Sequence, residues 1–344
     1  ETSSLVKKFN GSYSGEHGDG IARSEFNEVM FGKKMTNIFK IIKNSFDPFN
    51  IFNPGKIVDA PKLDSRNLFR YAPSYNAQNI NTILDWSSWT GASGGFQGAI
   101  EMCNNNGSCR KLEGGVMCPS YRVTKDEKDS TRGRANSLRL ALTGQLGKDA
   151  LFSERMNETM KLCVSCKACK RECPTGVDMS KMKIEISHLR AKKIGLDIKS
   201  KLVAFLPYYA SIASKFSFIF NLRDSLPGLA KISEIFLGFT SKRPLPKWRH
   251  DYFRDNELPS NLNTNEKSIP VILFVDTFNR YYEPDNVRSA IKVLKKAGYF
   301  PFIPTLENSS KVLCCGRTYL TNGLISHAKK EVFNILETYR PYIK

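Results

Sequence analysis

Residues 163–174 read Cys163-Val-Ser-Cys166-Lys-Ala-Cys169-Lys-Arg-Glu-Cys173-Pro174. The first three cysteines are spaced three residues apart, so a tightly turning loop can direct three thiolates at one centre. The fourth cysteine, which precedes a proline, points away and reaches a second cluster in motifs of this kind. A structural zinc site ordinarily has two separated Cys-x-x-Cys pairs instead. The stretch therefore predicts an iron–sulfur module that holds two clusters.

A second, altered copy of this motif lies upstream. Cys103 and Cys109 have the spacing of the first and third cysteines above, and Cys118 precedes a proline as the fourth does. Asn106 stands where the middle cysteine is expected. The distance from Cys109 to Cys118 is longer than usual, which predicts a distorted loop.

Exchanging the fourth ligands between the two copies predicts two clusters. The first is a 4Fe-4S cluster bound by four thiolates, those of Cys118, Cys163, Cys166 and Cys169. The second has one thiolate fewer, and its ligands are Cys103, Cys109 and Cys173. Three outcomes stay open for the second site: a 3Fe-4S cluster, a 4Fe-4S cluster with Asn106 or solvent on one iron, or no cluster.

The composition is that of a globular protein with a strong basic excess. Lys and Arg number 52 against 33 Asp and Glu, a formal net charge of +19. Such an excess indicates either a solvated basic surface or a face that meets acidic lipid headgroups, a carboxylate substrate or nucleic acid. No secretory leader pattern follows Glu1, and the crowded cysteines favour metal ligands in a reducing compartment over disulfides. We expect a cytoplasmic protein, with peripheral contact at the inner face of the cytoplasmic membrane.

Hydrophobic spacing predicts the elements around the cysteine region. A helix is expected over residues 29–43. Residues 202–240 are apolar but broken by Pro207, so short helices that pack on the protein or lie at a membrane interface are expected, with plain packing favoured. A buried strand over 270–277, a helix over 286–297 ended by Gly298, and a strand over 299–303 predict a small parallel α/β unit.

Two further features carry candidate chemistry. Cys314 and Cys315 are adjacent, and because a disulfide between neighbours is strained, the pair indicates a metal or redox element; two ordinary cysteines at a strand end are the alternative. Glu16 and His17 lie in a glycine-rich loop (residues 11–20) that lets backbone approach a planar cofactor and offers His17 as a base or substrate hydrogen bond. A plain turn with a surface histidine is the alternative there.

Several motifs resemble a known family. The stretches Ser14-Gly-Glu-His-Gly-Asp-Gly20, Phe31-Gly32, Phe46-Asp47-Pro48 and Asn53-Pro-Gly-Lys56 resemble the C-terminal end of FAD-linked oxidases, which include D-lactate, glycolate and D-2-hydroxyglutarate dehydrogenases. Met117-Cys-Pro-Ser120 and Ser130-Thr-Arg-Gly-Arg-Ala-Asn136 resemble the iron–sulfur half of fused flavin and iron–sulfur oxidoreductases. Phe274-Val-Asp-Thr-Phe278 and Cys314-Cys-Gly-Arg317 look like the first half of the cysteine-rich domain of glycolate oxidase iron–sulfur subunits and heterodisulfide reductases.

The resemblance implies a function and roles for individual residues. Glu16 would bind a divalent metal whose histidine ligands lie upstream, and His17 would contact a small 2-hydroxy acid substrate near FAD. Asn53 and Lys56 would lie close to the flavin or the substrate. The full-length enzyme would oxidise a D-2-hydroxy acid and pass electrons through the clusters to quinone or another acceptor. The chain would be a fragment, inactive alone, that lacks the upstream FAD-binding domain and the end of the cysteine-rich domain.

We therefore expect an α+β multidomain protein, with a mainly α-helical two-cluster ferredoxin-like module between an FAD-oxidase C-terminal remnant and a small parallel α/β domain. The expected boundaries are 1–60 (oxidase remnant), 61–95 (linker), 96–195 (cluster domain), 196–265 (helical, interfacial segment) and 266–344 (partial cysteine-rich domain). Two other functions compete with this one. A stand-alone iron–sulfur electron-transfer subunit is the first. A zinc-stabilised nucleic-acid-binding protein is the second, which the cysteine spacing and the lack of a recognition-helix pattern disfavour.

Overall fold

The computed structural model describes residues 1–68, 75–89, 94–260, 268–304 and 312–343. The chain divides into two compact units, Glu1–Asn76 and Ala77–Lys344. The five-part division expected from the sequence stays a prediction. Within the expected linker over 61–95, residues 69–74 and 90–93 lie outside the described residues. Within the polar stretch 254–268, residues 261–267 lie outside them.

The described residues are mainly helical, with two short strands, so the coarse α+β expectation is confirmed. The first unit has four α-helices: α1 (Thr2–Lys8), α2 (Gly20–Ser24), α3 (Asn27–Phe31) and α4 (Lys33–Phe46). Six more surround the cysteines: α5 (Gly95–Glu101), α6 (Pro119–Thr124), α7 (Thr131–Leu142), α8 (Glu154–Lys161), α9 (Ala168–Glu172) and α10 (Met179–Ile194). The rest are α11 (Ile198–Ala204), α12 (Leu206–Lys215), α13 (Ser217–Ser225), α14 (Leu229–Leu237), β1 (Ile269–Ile272), α15 (Thr277–Tyr281), α16 (Pro284–Lys296), β2 (Tyr299–Phe302), α17 (Arg317–Thr321) and α18 (Ile325–Tyr339).

The first unit is held together by polar contacts between its turns. Ser24 accepts a hydrogen bond from the backbone N–H of Ile57 (2.9 Å). The buried carboxylate of Asp47 accepts two, from Ile51 and Phe52 (2.9 Å each). The single helix expected over 29–43 is wrong, because Gly32 adopts φ 80° and separates α3 from α4. Glycine takes this left-handed conformation without the steric penalty that other residues incur.

The main core of the second unit surrounds the cysteine region, and Glu185 of α10 anchors its edge. This carboxylate is fully buried. It accepts hydrogen bonds from the N–H groups of Ile83 (2.8 Å) and Leu84 (3.0 Å) and from the indole of Trp86 (3.0 Å). Residues 83–86 are thereby tied to α10, with Trp86 packed against Phe96 of α5.

The start of α7 packs closely on the turn before it. A Cβ at Gly133 would lie 2.0 Å from the Glu127 carbonyl oxygen, so only glycine fits at this position. Beside it, the buried Arg134 guanidinium donates to the Asp129 carbonyl oxygen (2.6 Å) and contacts the Asp129 carboxylate (3.4 Å). Its Nε donates to the Thr159 carbonyl oxygen (2.8 Å), which joins α7 to α8.

The C-terminal α/β unit has the predicted connectivity. Strands β1 and β2 pair in parallel, with Ile269 opposite Tyr299, and α16 connects them. Gly298 follows α16 with φ 83°, as expected of a helix-terminating glycine. The strand expected over 270–277 is shorter and only partly buried. It ends at Ile272, because its partner β2 ends opposite it at Phe302, and the chain then enters α15, which Asp276 caps by accepting from the Phe278 N–H (2.9 Å).

The apolar region 202–240 forms four short helices, α11 to α14, as predicted. Within the described ranges, none of the helices has the length and apolar character needed to cross a membrane.

The turn after α17 is fixed to α10, since the His188 Nδ1 lies 2.8 Å from the Gly323 carbonyl oxygen. A Cβ at Gly323 would lie 2.4 Å from the Ser187 carbonyl carbon.

Candidate metal centres

The two cysteine motifs have the same loop conformation despite their different sequences. In the downstream loop, Ser165 (φ 55°) and Lys167 (φ 61°) flank Cys166 in the left-handed region. In the upstream loop, Asn105 (φ 65°) and Gly107 (φ 78°) flank the Asn106 position in the same way. The shared turn supports the correspondence between Asn106 and Cys166 that the spacing indicates.

Four cysteines from the two motifs line one cavity. Its cysteines are those predicted for the first cluster, Cys118, Cys163, Cys166 and Cys169. Cys118 and Cys169 are buried, Cys163 is partly exposed and Cys166 is exposed. Cys118 reaches the cavity because it has φ 52° immediately before Pro119, which begins α6.

Other groups in this wall suit a thiolate-bound cluster. The backbone N–H groups of Met179 and Ser180, at the start of α10, donate to Cys169. They offset the effect of burial, which raises the pKa of that thiol. The Ser180 hydroxyl is buried, lines the cavity and has no hydrogen-bond partner within the described protein. The Arg134 guanidinium also lines the cavity and offers positive charge to an anionic cluster. These residues fit a 4Fe-4S cluster.

Cys109 and Cys118 interact directly. The Cys118 thiol donates to Cys109, which lowers the pKa of Cys109 to about 6 and raises that of Cys118. The backbone N–H groups of Thr131 and Arg132 also donate, to Cys118 (3.1 Å) and Cys109 (3.4 Å) respectively. The start of α7 thus supplies donors to ligands of both predicted clusters, and cluster insertion would displace the remaining thiol proton.

Asn106 is turned toward its own loop. Its side-chain oxygen accepts from the Ser108 N–H (2.9 Å), and its amide nitrogen donates to Asn104 (2.6 Å). The Arg132 guanidinium lies over the same loop, bound to Glu127 (2.7 and 3.1 Å) and to the Asn105 carbonyl oxygen (3.2 Å). The Asn106 side chain is therefore engaged within its loop.

The residues predicted for the second cluster belong to the same core. Cys103 and Cys109 are buried in it, and Cys173 packs against it, partly exposed. Glu172 joins the two cysteine loops, since its carboxylate accepts from the N–H groups of Val116 (2.9 Å) and Met117 (3.1 Å). The ligand set of the second cluster stays a prediction.

Glu16 and His17 lie side by side in the first unit. The His17 Nε2 is 3.9 Å from a Glu16 carboxylate oxygen, and their side chains are 81% and 92% exposed. Asn53 and Lys56 lie in an exposed turn, where Asn53 has φ 47°. The described residues show no hydrogen bond or ion pair that joins these two to Glu16 or His17.

No group of three or more His, Cys, Asp or Glu side chains in the described ranges is arranged to hold a single metal ion. The divalent metal proposed at Glu16 therefore has no complete ligand set among them. The cavity cysteines are consistent with this finding, because thiolates at the corners of an iron–sulfur cube stand farther apart than ligands that converge on one ion.

Cys314 and Cys315 differ in environment. Cys314 is buried, and Thr277 donates a weak hydrogen bond to its sulfur (3.7 Å). Cys315 is exposed. Its pKa is lowered to about 6, chiefly because the Cys314 thiol donates to it.

Sequence reasoning missed Ser180, Arg134 and Lys183. The Lys183 ammonium donates to the Cys163 carbonyl oxygen (2.5 Å), and burial lowers its pKa. The basic residues next to the downstream cysteines in sequence are exposed, namely Lys161, Lys167, Lys170 and Arg171. A signal for Arg134 was present in the stretch 130–136, but Ser180 and Lys183 reach the cysteines only through the placement of α10.

Comparisons with known proteins agree with this architecture. Residues 1–57 match the family model described as FAD linked oxidases, C-terminal domain, and residues 99–177 match the 4Fe-4S dicluster domain. No solved structure matches the chain.

The curated relatives share one name, D-2-hydroxyglutarate dehydrogenase. The chain is 26% identical to those of Escherichia coli K12 (352 residues, 89% of this chain), Pantoea ananatis (360 residues, 90%) and Haemophilus influenzae (355 residues, 91%). It spans only about a third of their length, 34% of each. The chain thus carries a match to the C-terminal domain of FAD linked oxidases followed by a match to a 4Fe-4S dicluster domain, and it is similar to these dehydrogenases over about nine tenths of its own length.

Proposed function

We propose that this chain is the electron-relay part, with the adjoining end of the flavin domain, of a D-2-hydroxyacid dehydrogenase. The observation that carries the proposal is the cavity in which Cys118 joins Cys163, Cys166 and Cys169. Such a site supports one-electron transfer. The match of residues 1–57 to FAD-linked oxidases supports FAD as the cofactor that accepts a hydride. The names of the relatives favour D-2-hydroxyglutarate as substrate.

The chain's own residues have distinct tasks in this proposal. Bound FAD supplies the hydride acceptor, and bound clusters supply one-electron carriers. The His17 imidazole accepts the proton of the substrate hydroxyl. Glu16 supplies one carboxylate oxygen to a divalent cation whose other ligands come from outside the described residues. Asn53 and Lys56 contact flavin or substrate. Cys118 and the residues at the start of α10 hold the first cluster and exclude water from it.

We also propose that electrons leave to a membrane quinone, with peripheral contact between the protein and the membrane. The net charge of +19 supports this contact, because anionic headgroups attract basic surfaces. When the protein is given a D-2-hydroxy acid and a quinone analogue under anaerobic conditions, we expect the quinone analogue to be reduced. Reduction of soluble dyes alone would argue for another acceptor.

The test uses the full-length polypeptide loaded with FAD and iron–sulfur clusters. Anaerobic addition of D-2-hydroxyglutarate should reduce the clusters, as read by electron paramagnetic resonance. His17→Ala and Glu16→Gln should slow this reduction by at least tenfold, while dithionite still reduces the clusters fully. Glu25→Gln, a change in the same unit outside the proposed site, is the matched control and should keep the native rate.

A stand-alone electron-transfer subunit is the second candidate, since the cavity alone supports it. Under that function, D-2-hydroxyglutarate would reduce the clusters neither in the native protein nor in the two variants. Cluster reduction by dithionite but never by a D-2-hydroxy acid would favour it too.

A further inference from the structure

Helices α13 and α14 form a hairpin with one exposed apolar side. We call residues 217–237 the apolar hairpin. The helices are joined by Leu226-Pro227-Gly228, where Gly228 has φ 89°. Its large apolar side chains are exposed by 38% to 78%, namely Phe218, Ile219, Phe220, Leu222, Leu226, Ile232, Ile235, Phe236 and Leu237. Phe218 and Leu222 share one face of α13, and Ile232, Ile235 and Phe236 share one face of α14. Exposed apolar patches generally mark an interaction site.

The opposite side of the hairpin is fixed to the protein by polar side chains. The Asn221 amide both donates to and accepts from the backbone of Trp248 (2.9 Å each). The Arg223 guanidinium donates to the Thr240 carbonyl oxygen (2.7 Å) and to the Ser233 hydroxyl (3.1 Å). These contacts hold both helices in one orientation, so the apolar side faces outward in a defined way.

Exposed cations lie within the apolar hairpin and next to it in sequence, and we call them its rim. Between Lys215 and Lys247 there are six basic residues and two acidic ones. Five of the cations are exposed, namely Lys215, Lys231, Lys242, Arg243 and Lys247. Both carboxylates are engaged, since Asp224 pairs with Arg223 and Glu234 accepts from Ser241. The hairpin thus combines an apolar side with a positively charged rim.

We propose that the apolar hairpin lies in the headgroup region of an anionic phospholipid bilayer. The phenylalanine and isoleucine side chains enter the boundary of the acyl chains, and the rim cations meet the lipid phosphates. Each nine-residue helix is about 14 Å long at 1.5 Å per residue, so neither crosses the bilayer. The charge pattern favours this occupant over an apolar protein face, because a protein partner would have to be acidic around an apolar centre. The inference extends the membrane contact proposed above, but it does not depend on hydroxyacid chemistry.

The test is co-sedimentation of this chain with phosphatidylcholine vesicles and with mixed phosphatidylcholine and phosphatidylglycerol vesicles. We expect binding to the anionic vesicles that weakens with added salt. The triple variant Phe218→Ser, Ile235→Ser, Phe236→Ser should bind at least tenfold more weakly. A control triple variant at apolar positions with similar exposure, Val293→Ser, Phe333→Ser, Leu336→Ser, should stay within twofold of the native chain. Absence of binding at low salt, or equal loss in both variants, would overturn the proposal.

A second measurement locates the contact. Phe236→Trp in this chain and in the full-length polypeptide should gain fluorescence that brominated lipids quench in anionic vesicles. If the tryptophan stays unquenched while the protein binds, another surface makes the contact and the proposal is wrong. If it is quenched in this chain but not in the full-length polypeptide, another part of the polypeptide covers the hairpin, and the proposal is again wrong. Turnover plays no part in either readout, so failure here is distinct from failure of the proposed activity.

Discussion

Ser180 lies fully enclosed in the wall of the first cavity, and its hydroxyl has no partner within the described protein. A buried hydroxyl left without a hydrogen bond costs about 1–3 kcal/mol, so native proteins rarely keep one without a reason. The four cysteines around the same space supply that reason, because a bound cluster offers sulfur acceptors at this wall. Hydrogen bonds to cluster sulfurs stabilise the reduced, more negative state and raise the potential.

The first prediction concerns this hydroxyl. Ser180→Ala should shift the midpoint potential of the first cluster to a more negative value, because one donor to the cluster is lost. Ser180→Thr, which keeps the hydroxyl, should restore most of the native potential. The measurement is a redox titration followed by electron paramagnetic resonance, with the iron content of each variant determined first. Equal potentials in all three proteins would show that Ser180 does not contact the cluster.

A second prediction concerns the pH dependence of Cys315. Its pKa is lowered to about 6, mainly because the Cys314 thiol donates to it, so Cys315 is a thiolate above that pH and a thiol below it. Alkylation by iodoacetamide in the metal-free chain should therefore rise through a midpoint near pH 6. Cys314→Ala removes the donor and should move the midpoint toward the ordinary value of about 8.5. Mass spectrometry of the modified peptide gives the rate, and an unchanged midpoint in Cys314→Ala would contradict the assignment.

At the scale of elements, α10 organises the cluster region. Its first residues, Met179 and Ser180, line the first cavity, and Glu185 lies in its middle. In its second half, His188 contacts the Gly323 carbonyl oxygen. The first cavity, the 83–86 segment and the C-terminal α/β unit are thus all fixed to one helix. Disturbing the middle of α10 should affect the whole second unit.

Glu185 gives a direct test of that role. Glu185→Ala would leave the buried Trp86 indole and the two half-buried backbone N–H groups without a partner, and it should lower the free energy of unfolding by about 3 kcal/mol or more. Glu185→Gln keeps one acceptor oxygen and should cost less. Glu154→Ala, which removes a surface pair with Arg190, should change stability by no more than about 1 kcal/mol. Urea unfolding followed by circular dichroism compares the three, and equal effects of Glu185→Ala and Glu154→Ala would refute the anchoring role.

The sequence predicted these elements unevenly, for physical reasons. Helix α16 and its terminating Gly298 follow from local periodicity, and they were found where expected. The strand expected over 270–277 ended early, at Ile272, because its partner β2 ends opposite it at Phe302, and an apolar run does not reveal the length of the partner strand. Three cavity cysteines follow from the local spacing of residues 163–169, and Cys118 follows from exchanging the fourth ligands between the two motifs. Ser180 and Arg134 were not predicted, because they reach the cavity through tertiary packing of α10 and α7.

At the scale of the whole molecule, the two units differ in how complete their predicted sites are. The second unit has a cavity lined by all four predicted ligands of the first cluster. The three cysteines predicted for the second cluster lie in or against the same core. The first unit presents Glu16 and His17 on its surface without a complete ligand set among the described residues. Under the proposed function, electron relay should therefore persist in this chain alone, whereas hydroxyacid oxidation needs groups that the described residues do not supply.

The last prediction is the iron and acid-labile sulfide content of the anaerobically reconstituted chain. Asn106 is engaged with Asn104 and Ser108 within its loop, so we expect roughly seven irons per chain and a 3Fe-4S signal in the oxidised protein. Asn106→Cys supplies the missing thiolate and should raise the count to roughly eight and remove that signal, while Asn106→Ala should leave the count unchanged. Roughly eight irons in the native chain would instead place Asn106 or solvent on the fourth iron, and roughly four would mean that the second site stays empty. Bound zinc without labile sulfide would refute the electron-relay function altogether, because zinc has no redox chemistry.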